Sequence, residues 1–169
     1  MTSFNLRHVK LRPGEEHREA VEIDLPPFEF GGQRYVPVPE QVEALLVVTR
    51  AMSGTMFGLR FTTRLHGPCV RCLGDAVLDV PIAVREYQAN SPDDEELTTP
   101  YVEGDELDIS GWARDAVALA LPDKILCRPD CAGLCPVCGE NLGDGAHEHP
   151  EEDPDPRWSA LETLKDRLS

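Results

Sequence analysis

The chain has 169 residues, 41% of them hydrophobic and 28% charged, a balance that suits a folded globular protein with its own core better than a disordered one. Its formal net charge is −15, which disfavours broad attraction to nucleic-acid phosphates and favours cationic partners. No apolar run approaches the roughly 18 residues of a membrane-spanning helix, and the start Met1-Thr2-Ser3-Phe4-Asn5-Leu6-Arg7 lacks the basic-then-apolar pattern of a signal peptide, so the expected location is the cytoplasm.

The first half reads as β-structure. Val21, Ile23 and Leu25 alternate with Ala20, Glu22 and Asp24, the period of a half-buried strand. Pro26, Pro27, Pro37 and Pro39 then mark a loop or edge segment. Two longer runs follow, 42–52 and 56–66, joined by Ser53-Gly54-Thr55 as a hairpin. In the second run Leu59, Phe61 and Leu65 face one way, while Arg60, Thr62, Arg64 and His66 face the other. A fourth run sets Ala76, Leu78, Val80, Ile82 and Val84 on one face. The pattern predicts a small antiparallel β meander or half-closed barrel.

Charge divides unevenly beyond this point. Residues 1–85 hold ten Lys/Arg and ten Asp/Glu, whereas residues 86–169 hold six and 21. The stretch 86–108 has nine carboxylates and no Lys or Arg, so it reads mainly as a solvated loop. Residues 110–121 then suit a short amphipathic helix stopped by Pro122. Residues 127–150 are rich in Cys, Gly and Pro and cannot build a core of their own. The tail opens with Asp155-Pro156, a helix start, and Trp158, Leu161, Leu164 and Leu168 make one apolar stripe on a C-terminal helix. The expected class is α+β. Its expected parts are a β-rich core with acidic loop and short helix (1–126), a Cys/His metal-binding segment (127–150) and a helical tail (151–169).

Six cysteines in a reducing compartment point to metal or redox chemistry more than to disulfides. Four crowd one segment, Cys127, Cys131, Cys135 and Cys138, and two lie upstream in Cys69-Val70-Arg71-Cys72. Cys-x-x-Cys spacing lets one tight turn offer two thiolates to a tetrahedral ion, and Gly139 after the second cysteine permits the positive φ such a turn needs. His147 and His149 bring the ligand count to eight, enough for two zinc sites: Cys69, Cys72, Cys127 and Cys131 in one, and Cys135, Cys138, His147 and His149 in the other. A single zinc is the rival scheme, held by Cys69/Cys72 with Cys135/Cys138 or by the local quartet of cysteines. Both histidines also fit as ordinary solvated residues of an acidic loop. A thioredoxin-like role lacks the surrounding βαβ pattern, and an iron–sulfur cluster lacks the ferredoxin spacings.

The run from Cys69 to Leu73, the helix ending in Leu119-Ala120-Leu121-Pro122, the segment from Cys127 to Leu142 and the closing Asp155-Pro156-Arg157-Trp158 resemble the YceD family, in order, over about residues 40–168. That family is known as large ribosomal RNA subunit accumulation proteins. The resemblance implies a role in keeping 23S ribosomal RNA, and hence the large subunit, at normal levels. A common gene neighbour encodes a small zinc-binding protein of the large subunit, which suggests a ribosomal-protein partner. Many relatives carry Cys-x-Cys where this chain has His147-Glu148-His149, a replacement that keeps metal-ligand chemistry. Some relatives lack the later cysteines, so zinc there supports fold or partner surface.

Three functions follow for comparison. The favoured one is a non-enzymatic ribosome-biogenesis factor contacting large-subunit RNA or a basic ribosomal protein. Between Ala44 and Gly74 the chain has four arginines (Arg50, Arg60, Arg64 and Arg71) and no acid, a candidate RNA or partner patch. Aromatic residues amount to 6%, too few to favour base stacking. The alternatives are a zinc-dependent hydrolase or nuclease acting on ribosomal RNA, and a redox-sensing zinc protein. No His-Glu-x-x-His, phosphate-binding glycine loop or nucleophile elbow supports an enzyme.

Overall fold

The computed structural model describes residues 2–91, 97–143, 145 and 148–149. They fall into two compact units, one running to Cys131 and one beginning at Ala132.

In the first unit the strands are β1 (Ser3–Asn5), β2 (Glu16–Asp24), β3 (Phe28–Phe30), β4 (Gln33–Pro37), β5 (Gln41–Arg50), β6 (Gly54–Pro68), β7 (Asp75–Ala89), β8 (Val102–Glu103) and β9 (Glu106–Asp108), followed by helix α1 (Ile109–Ala120). All pairings are antiparallel. The two 15-residue strands β6 and β7 form one long hairpin, in register from Gly54 against Ala89 to Pro68 against Asp75. Strand β6 is too long for one neighbour on its other edge. Residues 55–60 pair with β5, and His66 and Leu65 pair with β4. Strand β2 lies outside β5, and β3 outside β4.

Alternation along these strands gives the sheet two chemically different faces. Val42, Ala44, Leu46 and Val48 of β5 are buried, as are Phe57, Leu59, Phe61 and Leu65 of β6 and Ala76, Val80 and Ile82 of β7. Helix α1 completes this core. Its buried residues Ile109, Trp112, Ala113, Ala116 and Val117 recur at helical spacing, and it packs on β7, β2 and β1. Burying Trp112 alone stabilises by about 3 kcal/mol on area grounds. Asp108 caps the helix, its carboxylate accepting from the Gly111 N–H at 2.9 Å, a bond of the kind that contributes about 1 kcal/mol.

The sheet does not close into a barrel. Strands β2, β3 and β7 each have a single strand partner among the described residues, and α1 packs against the apolar face at β7 and β2. Among its described residues, the acidic segment also contributes strands where its charge implies a loop. Glu86 to Ala89 continue β7, and β8 and β9 join β1 in a second, three-stranded sheet. Leu107 supplies the reason: it is fully buried, so one apolar residue anchors an otherwise solvated strand. The tail beyond residue 149, with its expected helix, lies outside the described residues. Among the described residues no helix is long and apolar enough to cross a membrane.

The second unit is a small Cys/Gly-rich turn system, with a bridge between Leu134 and Asn141 and a Leu142 N–H to Gly133 carbonyl bond of 2.9 Å.

Candidate metal centres

The tip of the β6–β7 hairpin is the turn Cys69 to Gly74, so the long ladder delivers the first Cys-x-x-Cys at one end of the main sheet. The chain leaves α1 and returns to this tip, where the Val70 N–H donates to the Ile125 carbonyl at 3.0 Å. That bond places Cys127 and Cys131 beside the hairpin. The Cys69 and Cys131 sulfurs are 3.7 Å apart and those of Cys72 and Cys127 3.6 Å. All four lie within 4.8 Å of one another. A tetrahedral ion with metal–sulfur bonds of about 2.3 Å requires sulfurs about 3.8 Å apart. The donor set therefore fits zinc in number, type and spacing. Cys69 and Cys131 are buried, Cys72 half-buried and Cys127 exposed.

Protonation points the same way. Burial opposes charge on Cys69, but backbone hydrogen bonds from Cys72, Cys127 and Arg71 outweigh it and bring its pKa down to about 6. Hydrogen bonding to Cys72, with burial and the other two thiols, pushes Cys127 up to about 12. Four thiols so close do not all ionise on their own at neutral pH, because each new charge meets those already present. A dication supplies the missing compensation.

In the second unit Cys135, Cys138 and His149 come together, the Cys135 sulfur 3.2 Å from Nε2 of His149. Here Cys135 is buried and the other two exposed. His147 lies outside the described residues. Cys127 and Cys131 thus group with the upstream pair, and Cys135 and Cys138 with a histidine.

The two Cys-x-x-Cys turns repeat each other bond for bond. In the first, the Arg71 N–H donates to the Cys69 sulfur (3.4 Å), the Leu73 N–H to the Cys69 carbonyl (2.9 Å) and the Cys69 N–H to the Gly74 carbonyl (2.7 Å). In the second, the Val137 N–H donates to the Cys135 sulfur (3.4 Å), the Gly139 N–H to the Cys135 carbonyl (2.9 Å) and the Cys135 N–H to the Glu140 carbonyl (2.7 Å). Such N–H···S bonds stabilise a thiolate and orient it toward a shared centre. The residue after the second cysteine is left-handed in both, Leu73 at φ 59° and Gly139 at φ 77°.

The four candidate contact arginines have different surroundings. Arg71 belongs to the first knuckle, its side chain donating to the Cys131 carbonyl at 2.7 Å. Arg64 is held in a fork by Asp79, at 2.6 and 3.2 Å, which also draws the Asp79 carboxyl below its usual range. Arg50 donates to the Thr55 hydroxyl at 2.7 Å. Only Arg60 of the four stands exposed with no side-chain partner among the described residues.

Comparison with known proteins adds a family. The family model described as "Large ribosomal RNA subunit accumulation protein YceD" matches residues 57–165. An uncharacterized protein of Mycobacterium tuberculosis is 40% identical over 101 residues, covering 56% of this chain and 48% of the relative. One of Mycobacterium leprae is 34% identical over 98 residues, covering 55% and 45%. The chain thus spans about half the length of the curated relatives it matches. No solved structure matches it.

Proposed function

Because this chain belongs to the YceD family of large ribosomal RNA subunit accumulation proteins, we propose that it is a non-enzymatic ribosome-biogenesis factor of the cytoplasm that sustains 23S ribosomal RNA and with it the large subunit. The carrying observation is the family match over well over half of the chain, which includes both Cys-x-x-Cys turns. Zinc in this reading is structural, and residues 127–150 serve to bind it. Cys69, Cys72, Cys127 and Cys131 are four thiolates for four tetrahedral positions, a set that leaves no position for a reacting water. Bound there, the ion ties the β6–β7 hairpin tip to the segment that follows α1. The second site uses Cys135, Cys138 and His149, with His147 as its fourth ligand. The partners on this reading are large-subunit RNA or a basic large-subunit ribosomal protein.

The deciding measurement is the ratio of 23S to 16S ribosomal RNA in cells with and without the protein. A selective fall in 23S on removal is the expected result. An unchanged ratio with normal subunit profiles would overturn the proposal and favour a hydrolytic or redox role.

A further inference from the structure

The outer face of the main sheet, opposite the core, carries a charge pattern that no stretch of sequence displays. Strand register builds it in rows. Arg18 of β2 pairs with Val47 of β5, Val47 with Gly58 of β6, and Gly58 with Arg85 of β7. In the next row Ala20 pairs with Leu45, Leu45 with Arg60, and Arg60 with Ala83. Three exposed arginines therefore rim a floor of small and aliphatic side chains. Gly58 leaves the centre of that floor low, since a Cβ there would meet only Val47, at 3.6 Å. The result is a shallow cleft of about 570 Å³.

Charge decides what fits. The chain is net −15, yet Arg60 and Arg85 have no ion pair or side-chain hydrogen bond among the described residues, and Arg18 is paired to Glu16 at the cleft's margin. Exposed guanidinium groups in a shallow, partly apolar setting are suited to bidentate contact with phosphate. Glu16 also lines the cleft and Glu22 pairs with Glu43 one row beyond, so the basic character is confined to the rows of Arg18, Arg60 and Arg85, and a basic protein finds more carboxylates in the second half of the chain. Strands lie about 4.8 Å apart, so Arg18 and Arg85, three strands apart, span about 14 Å, enough for more than one phosphate. Phe57, the one aromatic residue lining the cleft, is fully buried in the core, and Tyr87 farther along β7 holds its hydroxyl against Ser53 at 2.7 Å. No aromatic platform offers itself for base stacking, and recognition falls to the backbone.

We propose that the outer face of β2, β5, β6 and β7 is an RNA-binding surface that holds the phosphate backbone through Arg18, Arg60 and Arg85 without reading base sequence. This rests on the ribosomal RNA role proposed above and adds the surface that executes it.

The test is binding of the purified full chain to a 23S ribosomal RNA transcript across a salt series. Three phosphate contacts give a slope of log affinity against log salt of about −2, at about 0.7 per contact for single strands. The double variant Arg60→Ala/Arg85→Ala is expected to lose at least tenfold in affinity and to flatten the slope to about −0.7. Arg7→Ala/Arg114→Ala removes equal charge from the N-terminal arm and the helix, and is expected to leave the slope unchanged. All four side chains are exposed, and unchanged melting curves check that the variants fold. RNA binding that survives in Arg60→Ala/Arg85→Ala with its slope intact overturns the proposal. So does loss of a ribosomal-protein contact in that variant with RNA affinity unaltered. The cellular 23S to 16S ratio separates the two claims. If deletion lowers it while the double variant restores it fully, the surface is refuted and the biogenesis role stands. If deletion does nothing, the biogenesis role itself fails.

Discussion

Leu73 occupies the position that Gly139 holds in the second knuckle, at nearly the same left-handed φ. A residue with a Cβ costs about 1–2 kcal/mol there, and Leu73 recovers little by packing because 58% of it is exposed. Leu73→Gly relieves that strain and forfeits about 0.5–1 kcal/mol through a more flexible unfolded chain. The expected net effect is a melting temperature higher by about 2–4 °C, read in a thermal melt of the metal-loaded protein; a lower one would refute the strain argument. Knuckle chemistry is largely legible at this scale, because Cys-x-x-Cys spacing is covalent and dictates the turn. The Cys-Gly pair at 138 and 139 displays the turn type, whereas leucine after Cys72 conceals it. The arginine surface is not legible at all. Arg18 lies among glutamates in sequence and Arg85 directly before Glu86, and only strand pairing brings them opposite Val47 and Gly58.

Among the elements, the β6–β7 hairpin needs the end of its ladder beside the turn held firm if that turn is to present thiolates. Gly67 provides this. A Cβ there would stand 2.4 Å from Cδ1 of Tyr35 and 2.8 Å from the Arg34 carbonyl. Tyr35 has no room to yield, being fully buried with its hydroxyl donating to the Pro68 carbonyl at 2.9 Å. Gly67→Ala is therefore expected to destabilise by about 1–3 kcal/mol, seen as a lower denaturant midpoint with weakened metal retention at Cys69 and Cys72. An unchanged midpoint would mean that Tyr35 shifts freely. Strands β5, β6 and β7 and helix α1 are readable from sequence because each carries four or more apolar residues at a fixed period, while β2 shows only Val21 and Ile23 in alternation. Strands β8 and β9 are not, since they span two and three residues and a single buried leucine orders them. The division of β6 between β5 and β4 also escapes sequence, because it depends on strand lengths and not on any residue type.

For the molecule as a whole, the metal binding proposed above would make the two clusters cross-links that exist only while the ion is held. Elemental analysis of the purified protein is expected to find two zincs per chain, one lost in Cys69→Ser and the other in Cys135→Ser; one zinc in the unaltered protein would refute the paired scheme. A strong chelator is expected to lower the unfolding midpoint, since a ligand that binds only the folded state stabilises it by mass action. Acid acts in the same direction. On the proposed reading the metal would hold the thiols deprotonated in the folded state, so the stability it contributes is expected at neutral pH and is expected to decline as protons compete for sulfur.

The pairing of β1 with β9, Ser3 opposite Asp108, has a consequence for synthesis. A ribosome adds about 5–20 residues per second, so β1 emerges on the order of 5–20 s before its only neighbouring strand among the described residues. Through that interval its backbone donors face water or whatever nascent segment is nearby. Closing so long a loop is slow compared with forming a hairpin. The three-stranded sheet accordingly cannot close until β9 has been made, well after the β6–β7 hairpin is free to form.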